Sequence, residues 1–172
     1  MILLYIIIGI IVFDYLFERV LDYLNSTYWS DKLPEELQEI YDAEKYRKSQ
    51  NYLKVKQRFS LIVSSFSFIA MILMLVLGGF AYLDGIVRSV TTHPILMAML
   101  YFGILGLLAD ILSTPFSIYS TFVIEEHFGF NKTTTRTFIL DKLKGLVLAI
   151  IIGGGLLALI IWIYTSTGQW FW

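Results

Sequence analysis

Apolar residues along this chain are gathered into four long blocks. The first opens with Ile2-Leu3-Leu4-Tyr5-Ile6-Ile7-Ile8 and runs to about Tyr23; the second is uncharged from Phe59 to Leu83; the third starts at Pro94 and reaches about Ile124; the fourth covers roughly Leu143 to Tyr164. Each can cross ~30 Å of hydrocarbon, which takes about 20 helical residues. The pattern predicts an all-α integral membrane protein with four transmembrane helices, at residues 1–24, 59–83, 94–124 and 143–165.

The segments between the blocks are of a different composition. Residues 25–58 are rich in charged and amide side chains and predict a solvent-facing amphipathic helical arm between spans one and two. Pro34 suits a first helical turn, Glu35 and Glu36 follow where the helix dipole favours acid, and Lys45, Arg47, Lys48, Lys54, Lys56 and Arg58 gather toward the far end, where it favours cations. Leu33, Leu37, Ile40 and Tyr41, then Tyr52, Val55 and Phe59, form apolar stripes that need a surface to cover. Residues 84–93 predict a short external loop and 125–142 a second polar loop on the arm's side. Residues 166–172, ending Trp170-Phe171-Trp172, read as an interfacial end or as the start of a fifth span.

Within the spans, Ser60, Ser64, Ser65, Ser67 and Gly78-Gly79 allow close helix approach, and Gly153-Gly154-Gly155 gives either close packing or local weakness. Pro115 predicts a kink or break in span three. Span one ends in a polar fringe of Glu18, Arg19 and Asp22, and two acids lie deeper inside spans. Asp14 is either an intramembrane polar site or an interfacial group pairing with Arg19; Asp110 either faces a bundle interior or is satisfied by Ser113 or Thr114.

The composition agrees with the pattern, at 57% hydrophobic and 16% charged residues, too apolar for one water-soluble domain of 172 residues. A net charge of −1 leaves no basic surplus for nucleic acid. The signs are nonetheless sorted: 12 of the 13 basic residues fall between Arg19 and Arg58 or between Lys132 and Lys144, with Arg88 alone in the external loop. The positive-inside rule makes the arm and the polar loop 125–142 cytoplasmic and both chain ends non-cytoplasmic. With zero cysteines there is no disulfide, thiolate site or Cys nucleophile. No basic leader or small-x-small cleavage site marks the first block as a signal peptide.

Candidate chemistry concentrates in Thr121-Phe122-Val123-Ile124-Glu125-Glu126-His127-Phe128-Gly129-Phe130-Asn131, where Gly129 and Asn131 end the helix. A zinc hydrolase of the HExxH type needs two His one turn apart. Only His93 and His127 exist, neither opens that motif, and the predicted topology puts them on opposite faces. Glu125, Glu126 and His127 are consecutive and point about 100° apart on a helix. No nucleophilic triad or phosphate loop is complete either.

Pro115-Phe116-Ser117-Ile118-Tyr119 running into Thr121–Asn131, with Thr134, Phe138 and Asp141 downstream, resembles the N-terminal membrane region of the CAAX prenyl protease 1 family. The resemblance extends to Pro34, Glu36-Leu37, Lys48-Ser49, Tyr52, Lys56 and Phe59-Ser60 in the arm, and to Gly78-Gly79 with Tyr82-Leu83. That family consists of integral-membrane zinc metalloproteases that cut prenylated C-terminal tails inside a membrane chamber. Resemblance implies that the zinc ligands and general base belong to a later region, so that this chain is an N-terminal piece, inactive by itself and without a cofactor, zinc being expected in the full-length protein. Its expected partners are the lipid bilayer and the missing C-terminal zinc domain, with prenylated or other peptide substrates only in the full-length enzyme. Glu125, Glu126, Asn131 and Asp141 are then candidates for docking that domain or lining the chamber mouth, against helix capping and salt bridges to Lys132, Arg136 or the basic arm. Two other readings stay open: a small non-enzymatic four-span protein binding a partner or lipid through the arm, and a transporter-like bundle using Asp14, Asp110 and the Pro115 kink. The short loops favour a bacterial inner membrane; in a eukaryote the expected site is the endoplasmic reticulum or inner nuclear membrane.

Overall fold

The structure, a computed structural model, describes residues 2–29 and 42–168. The first half of the arm, with Pro34, Glu35, Glu36 and the stripe Leu33, Leu37, Ile40 and Tyr41, lies outside the described residues, as does Trp170-Phe171-Trp172. Everything described is helix or short connection: α1 (Ile2–Thr27), α2 (Ala43–Val76), α3 (Gly79–Val90), α4 (Pro94–Tyr119), a π-helical segment (Ser120–Glu125), α5 (Thr135–Leu148), a second π-helical segment (Ala149–Gly153) and α6 (Gly154–Thr167).

Among the described residues, three stretches are long and apolar enough to cross a membrane: Ala43–Val76, Pro94–Glu125 and Thr135–Thr167. Their apolar side chains point outward. Only Leu83, Val87, Ile124 and Phe128 are buried hydrophobic residues among those described, while Ile62, Ile69, Ile111, Ile151 and many like them are exposed. A water-soluble protein could not leave so much aliphatic surface open, and a bilayer is the solvent that accepts it. Helix α1 is also apolar at its start but carries Asp14, Glu18 and Arg19, and it is not among the three.

The basic end of the arm and the second span form one helix. Asp42 caps α2, its side chain accepting from the amides of Glu44 (2.8 Å) and Lys45 (3.4 Å). The helix then runs without interruption from polar Ala43–Arg58 into the uncharged part and ends at Val76, short of Leu83. Gly78 ends it, with φ +70 in the left-handed region that glycine enters at no steric cost. A Cβ on Gly79 would meet Met74 Sδ at 2.6 Å, so this pair makes a tight turn. The turn delivers α3, a helix where the sequence predicts the end of a span and a loop; its Leu83 and Val87, one turn apart, form its buried face.

Helix α4 continues through Pro115, with no break there. Hydroxyls back-bond to carbonyls on the preceding turn, Ser113 Oγ and Thr114 Oγ1 donating to the Asp110 carbonyl and Ser117 Oγ to that of Ser113. Such bonds help a proline-containing helix persist in lipid. The irregularity comes five residues later, as the π-helical turn Ser120–Glu125. In α5, Thr134 is the N-cap and accepts from the Thr137 amide. The triple glycine follows the second π segment, and a Cβ on Gly154 would lie 3.4 Å from Met99 Cε.

The chain divides into two compact units, Met1–Gly79 with Ile118–Asn131, and Phe80–Ser117 with Lys132–Trp172. In the first, α1 and α2 run antiparallel: Tyr15 Oη lies 2.7 Å from Ser65 Oγ, the Tyr15 ring stacks on Phe68 at 4.2 Å, and Gln57 Nε2 donates to the Asp22 carbonyl at 3.0 Å.

Candidate functional site

The run Glu125–Asn131 is a helix ending in a Schellman turn. Gly129, at φ +72, takes the left-handed position; its amide donates to the Glu126 carbonyl (2.9 Å) and the Phe130 amide donates to that of Glu125 (2.8 Å). The Asn131 amide also reaches the Glu125 carbonyl at 3.2 Å, and its Nδ2 donates to Glu126 Oε2 at 2.9 Å. The backbone thus fixes Glu126 and Asn131 as one polar pair. Phe128, buried inside the turn, points opposite to exposed Glu126.

One face of α2 receives this turn. Lys48, Tyr52 and Lys56 recur every fourth residue, which stacks them along a helix. The Tyr52 ring makes edge contacts with both Phe128 (centroids 5.4 Å apart) and Phe130 (4.8 Å). Lys48 Nζ lies 5.8 Å from the Phe130 centroid, a cation–π distance. Lys56 Nζ donates to the Tyr52 hydroxyl at 2.8 Å and stands 3.7 Å from Glu125 Oε1. Farther along, Phe59 meets Tyr119 at 5.0 Å. The Tyr52 hydroxyl, and then the Glu125 charge, hold the Lys56 pKa above its ordinary value.

Of the predicted site residues, the structure brings together Glu125, Glu126 and Asn131. Asp141 lies in the other unit, exposed, with Lys144 Nζ at 3.8 Å one turn away. Asp14 is exposed on α1, and Arg19 does not pair with it. The Arg19 Nη2 atom instead takes Asp22 at 3.1 Å and Glu18 at 3.5 Å. Asp110 also departs from expectation. Ser113 and Thr114 bond to its backbone carbonyl, while its carboxylate takes Lys142 Nζ at 2.6 Å, which reaches Thr114 Oγ1 at 2.5 Å as well. Lys142 was unreadable as a partner from 32 residues away, whereas the four-residue spacing of Lys48, Tyr52 and Lys56 was a usable signal.

The donor set does not make a zinc site. His127 packs edge-on against Phe128 at 5.0 Å, and no three His, Asp or Glu among the described residues come together as metal ligands. A zinc ion needs three or four convergent N, O or S donors.

Long lipid-facing helices with an aromatic-clamped polar turn at the end of one of them define a helical membrane domain. Residues 23–172 match the family model described as CAAX prenyl protease N-terminal, five membrane helices, and the chain belongs to that family through this N-terminal region. It is 34% identical over 158 residues to the probable CAAX prenyl protease 1 of Schizosaccharomyces pombe, covering 81% of this chain and 32% of that protein. With CAAX prenyl protease 1 of Saccharomyces cerevisiae it shares 32% over 170 residues, 92% of this chain and 38% of the relative. The crystal structure of S. mikatae Ste24p superposes with a TM-score of 0.88 at 29% identity, over 98% of this chain and 41% of that one. The chain thus spans about 32% to 41% of the length of these proteins.

Proposed function

We propose that this chain is the N-terminal membrane domain of a CAAX-prenyl-protease-like zinc metalloendopeptidase, forming part of the wall of its membrane chamber and the scaffold for a zinc-bearing region that these 172 residues do not contain. The observation that carries this reading is similarity along nearly the whole chain to one contiguous part of a longer protein of that name. In it, Glu125, Glu126 and Asn131 form the polar surface on which the zinc region rests or which borders the chamber mouth, with Asp141 as a further polar contact and Asp14 and Asp110 as polar groups within the membrane. The rigid Schellman turn supports that role for the first three, because an ordered carboxylate–amide pair is a better docking surface than a free loop.

The finer topology proposed is four spans with a cytoplasmic arm between the first two, both ends of the sequence non-cytoplasmic, α1 serving as a span despite its acids. The charge sorting supports it, with 12 of 13 basic residues on one side. The membrane proposed is the bacterial inner membrane favoured by the short loops, or the endoplasmic reticulum or inner nuclear membrane in a eukaryotic cell. Zinc and prenylated substrates belong, in this proposal, to the complete enzyme.

The test is a chimaera. Replacing the matching region of the S. cerevisiae CAAX prenyl protease 1 by this chain is expected to leave cleavage of a prenylated peptide intact, while the 172-residue chain alone cleaves nothing. A chimaera that accumulates in the membrane at parental level yet lacks activity overturns the scaffold role. Because the sequence has no cysteine, single Cys residues at Lys48 and Lys132 report topology cleanly. Both are expected to react with an impermeant maleimide from the same face, and labelling from opposite faces overturns the topology.

A further inference from the structure

The first unit carries a second polar feature, away from the turn, that the protease reading does not use. At the C-terminal end of α1 and the junction between the polar and uncharged parts of α2 lies an open cavity of about 510 Å³. Arg19, Lys54 and Arg58 line it together with one acid, Asp22, so the lining carries a net positive charge. Tyr23 and Trp29 line it too, the residue types that settle at membrane–water boundaries.

Two observations fix its level and its chemistry. Arg58 is the last charged residue before the uncharged run Phe59–Leu83, and the Gln57–Asp22 and Tyr15–Ser65 contacts put the charged end of α1 at the same height. Both helices therefore turn from polar to apolar beside the cavity, where lipid headgroups lie. Arg19 is incompletely satisfied: Nη2 serves Asp22 and Glu18 and the guanidinium sits 5.2 Å from the Tyr15 ring centroid, but Nε and Nη1 are buried without a hydrogen-bond partner among the described residues. Buried donors of this kind are rarely left unmade, and each open N–H of a guanidinium offers a phosphate oxygen a charge-assisted partner.

We propose that this cavity binds the phosphate of an anionic phospholipid headgroup. The acyl chains run along the uncharged part of α2, and the three cations supply the preference for an anionic over a zwitterionic lipid. Basic recesses between membrane helices at the headgroup level are suited to such ligands. The inference needs only that these helices enter a bilayer, so it stands or falls apart from the protease assignment.

Native mass spectrometry of the delipidated 172-residue chain in neutral detergent tests it, with dioleoyl-phosphatidylglycerol, dioleoyl-phosphatidylcholine and inorganic phosphate as probes. One phosphatidylglycerol is expected to be retained at concentrations where phosphatidylcholine is not. Arg58→Gln, which removes an exposed cation with no hydrogen bond or ion pair among the described residues, is expected to weaken retention about tenfold, the value of one charge-assisted hydrogen bond. Arg19→Lys, which keeps the charge but removes the open Nε and Nη1 donors, is expected to weaken it as well, and Lys132→Gln to leave it unchanged. Equal retention of the two lipids, an unaltered Arg58→Gln variant, or displacement of the lipid by equimolar inorganic phosphate overturns the assignment.

Discussion

Two lysine–carboxylate contacts, one in each unit, show how little the chemical identity of a pair says about its importance. Lys56 and Glu125 stand 3.7 Å apart, with the Lys56 side chain half exposed. Around them Tyr52, Phe128 and Phe130 already fix the geometry. Lys142 and Asp110 touch at 2.6 Å, and Thr114 is the third member of the group. Asp110 lies midway along the apolar stretch Pro94–Glu125, with its side chain 58% exposed. The first contact decorates a surface that packing has made; the second is itself what allows a charge to sit where it does.

Packing at the turn gives the largest expected effect. Phe128 is 8% exposed, and Phe128→Ala is expected to destabilise the chain by about 3 kcal/mol, the usual loss for a buried ring. Leu112→Ala, at a lipid-facing position 47% exposed, serves as the contrast and is expected to change little. Unfolding by sodium dodecyl sulfate, followed by tryptophan fluorescence, measures both; equal losses would mean that the turn is not anchored by its aromatic clamp. The membrane pair comes next. Either Asp110→Asn or Lys142→Met alone strands a charge and is expected to lose about 2.5 kcal/mol. The double variant removes both charges and should recover most of that loss. Additive losses in the double variant would show that the partners do not compensate one another.

The same contrast explains what could be read in advance. The membrane class was legible because hydrocarbon thickness imposes a minimum length on apolar blocks, and Phe59 onward or Leu143 onward meets it without any knowledge of contacts. The helix end at Gly129 was legible because a left-handed C-cap selects glycine. The Lys142–Asp110 contact was not, since it depends on how two helices pack, which the spacing along either one does not encode. The turn at Gly78 and helix α3 were hidden for a related reason: Gly79–Val90 opens with apolar residues that a hydropathy profile merges with the span before it. Pro115 predicted a kink or a break at its own position; the helix continues through it with back-bonded hydroxyls beside it, and the irregular turn falls at Ser120–Glu125.

Gly129 tests whether the turn is set by its backbone as well as by its rings. At φ +72, Gly129→Ala is expected to destabilise by roughly 1 kcal/mol, because an L-residue pays that much to enter the left-handed region. Gly129→Asn is expected to lose less, since asparagine is the other residue that tolerates this cap. Steric crowding cannot mimic the result: a Cβ there would find only Lys48 Nζ, at 3.7 Å. If asparagine were as harmful as alanine, tolerance of the left-handed region would not be what glycine supplies at this position.

The smallest effect belongs to the Lys56–Glu125 pair, and its pH dependence identifies it. Lys56 has its pKa raised above the ordinary 10.5, first by the Tyr52 hydroxyl and then by Glu125. A raised lysine contributes stability that is fully present below the ordinary value and is lost as pH climbs through the higher, folded-state one. Between pH 6 and 9 the contribution is therefore flat, and Lys56→Met is expected to lose about 0.5 kcal/mol there, the lower end for exposed pairs after screening. Raising salt to ~1 M, where the Debye length falls to about 3 Å, should halve that loss or better. A loss of several kcal/mol, insensitive to salt, would place Lys56 in the same category as Lys142 and erase the difference between the two contacts.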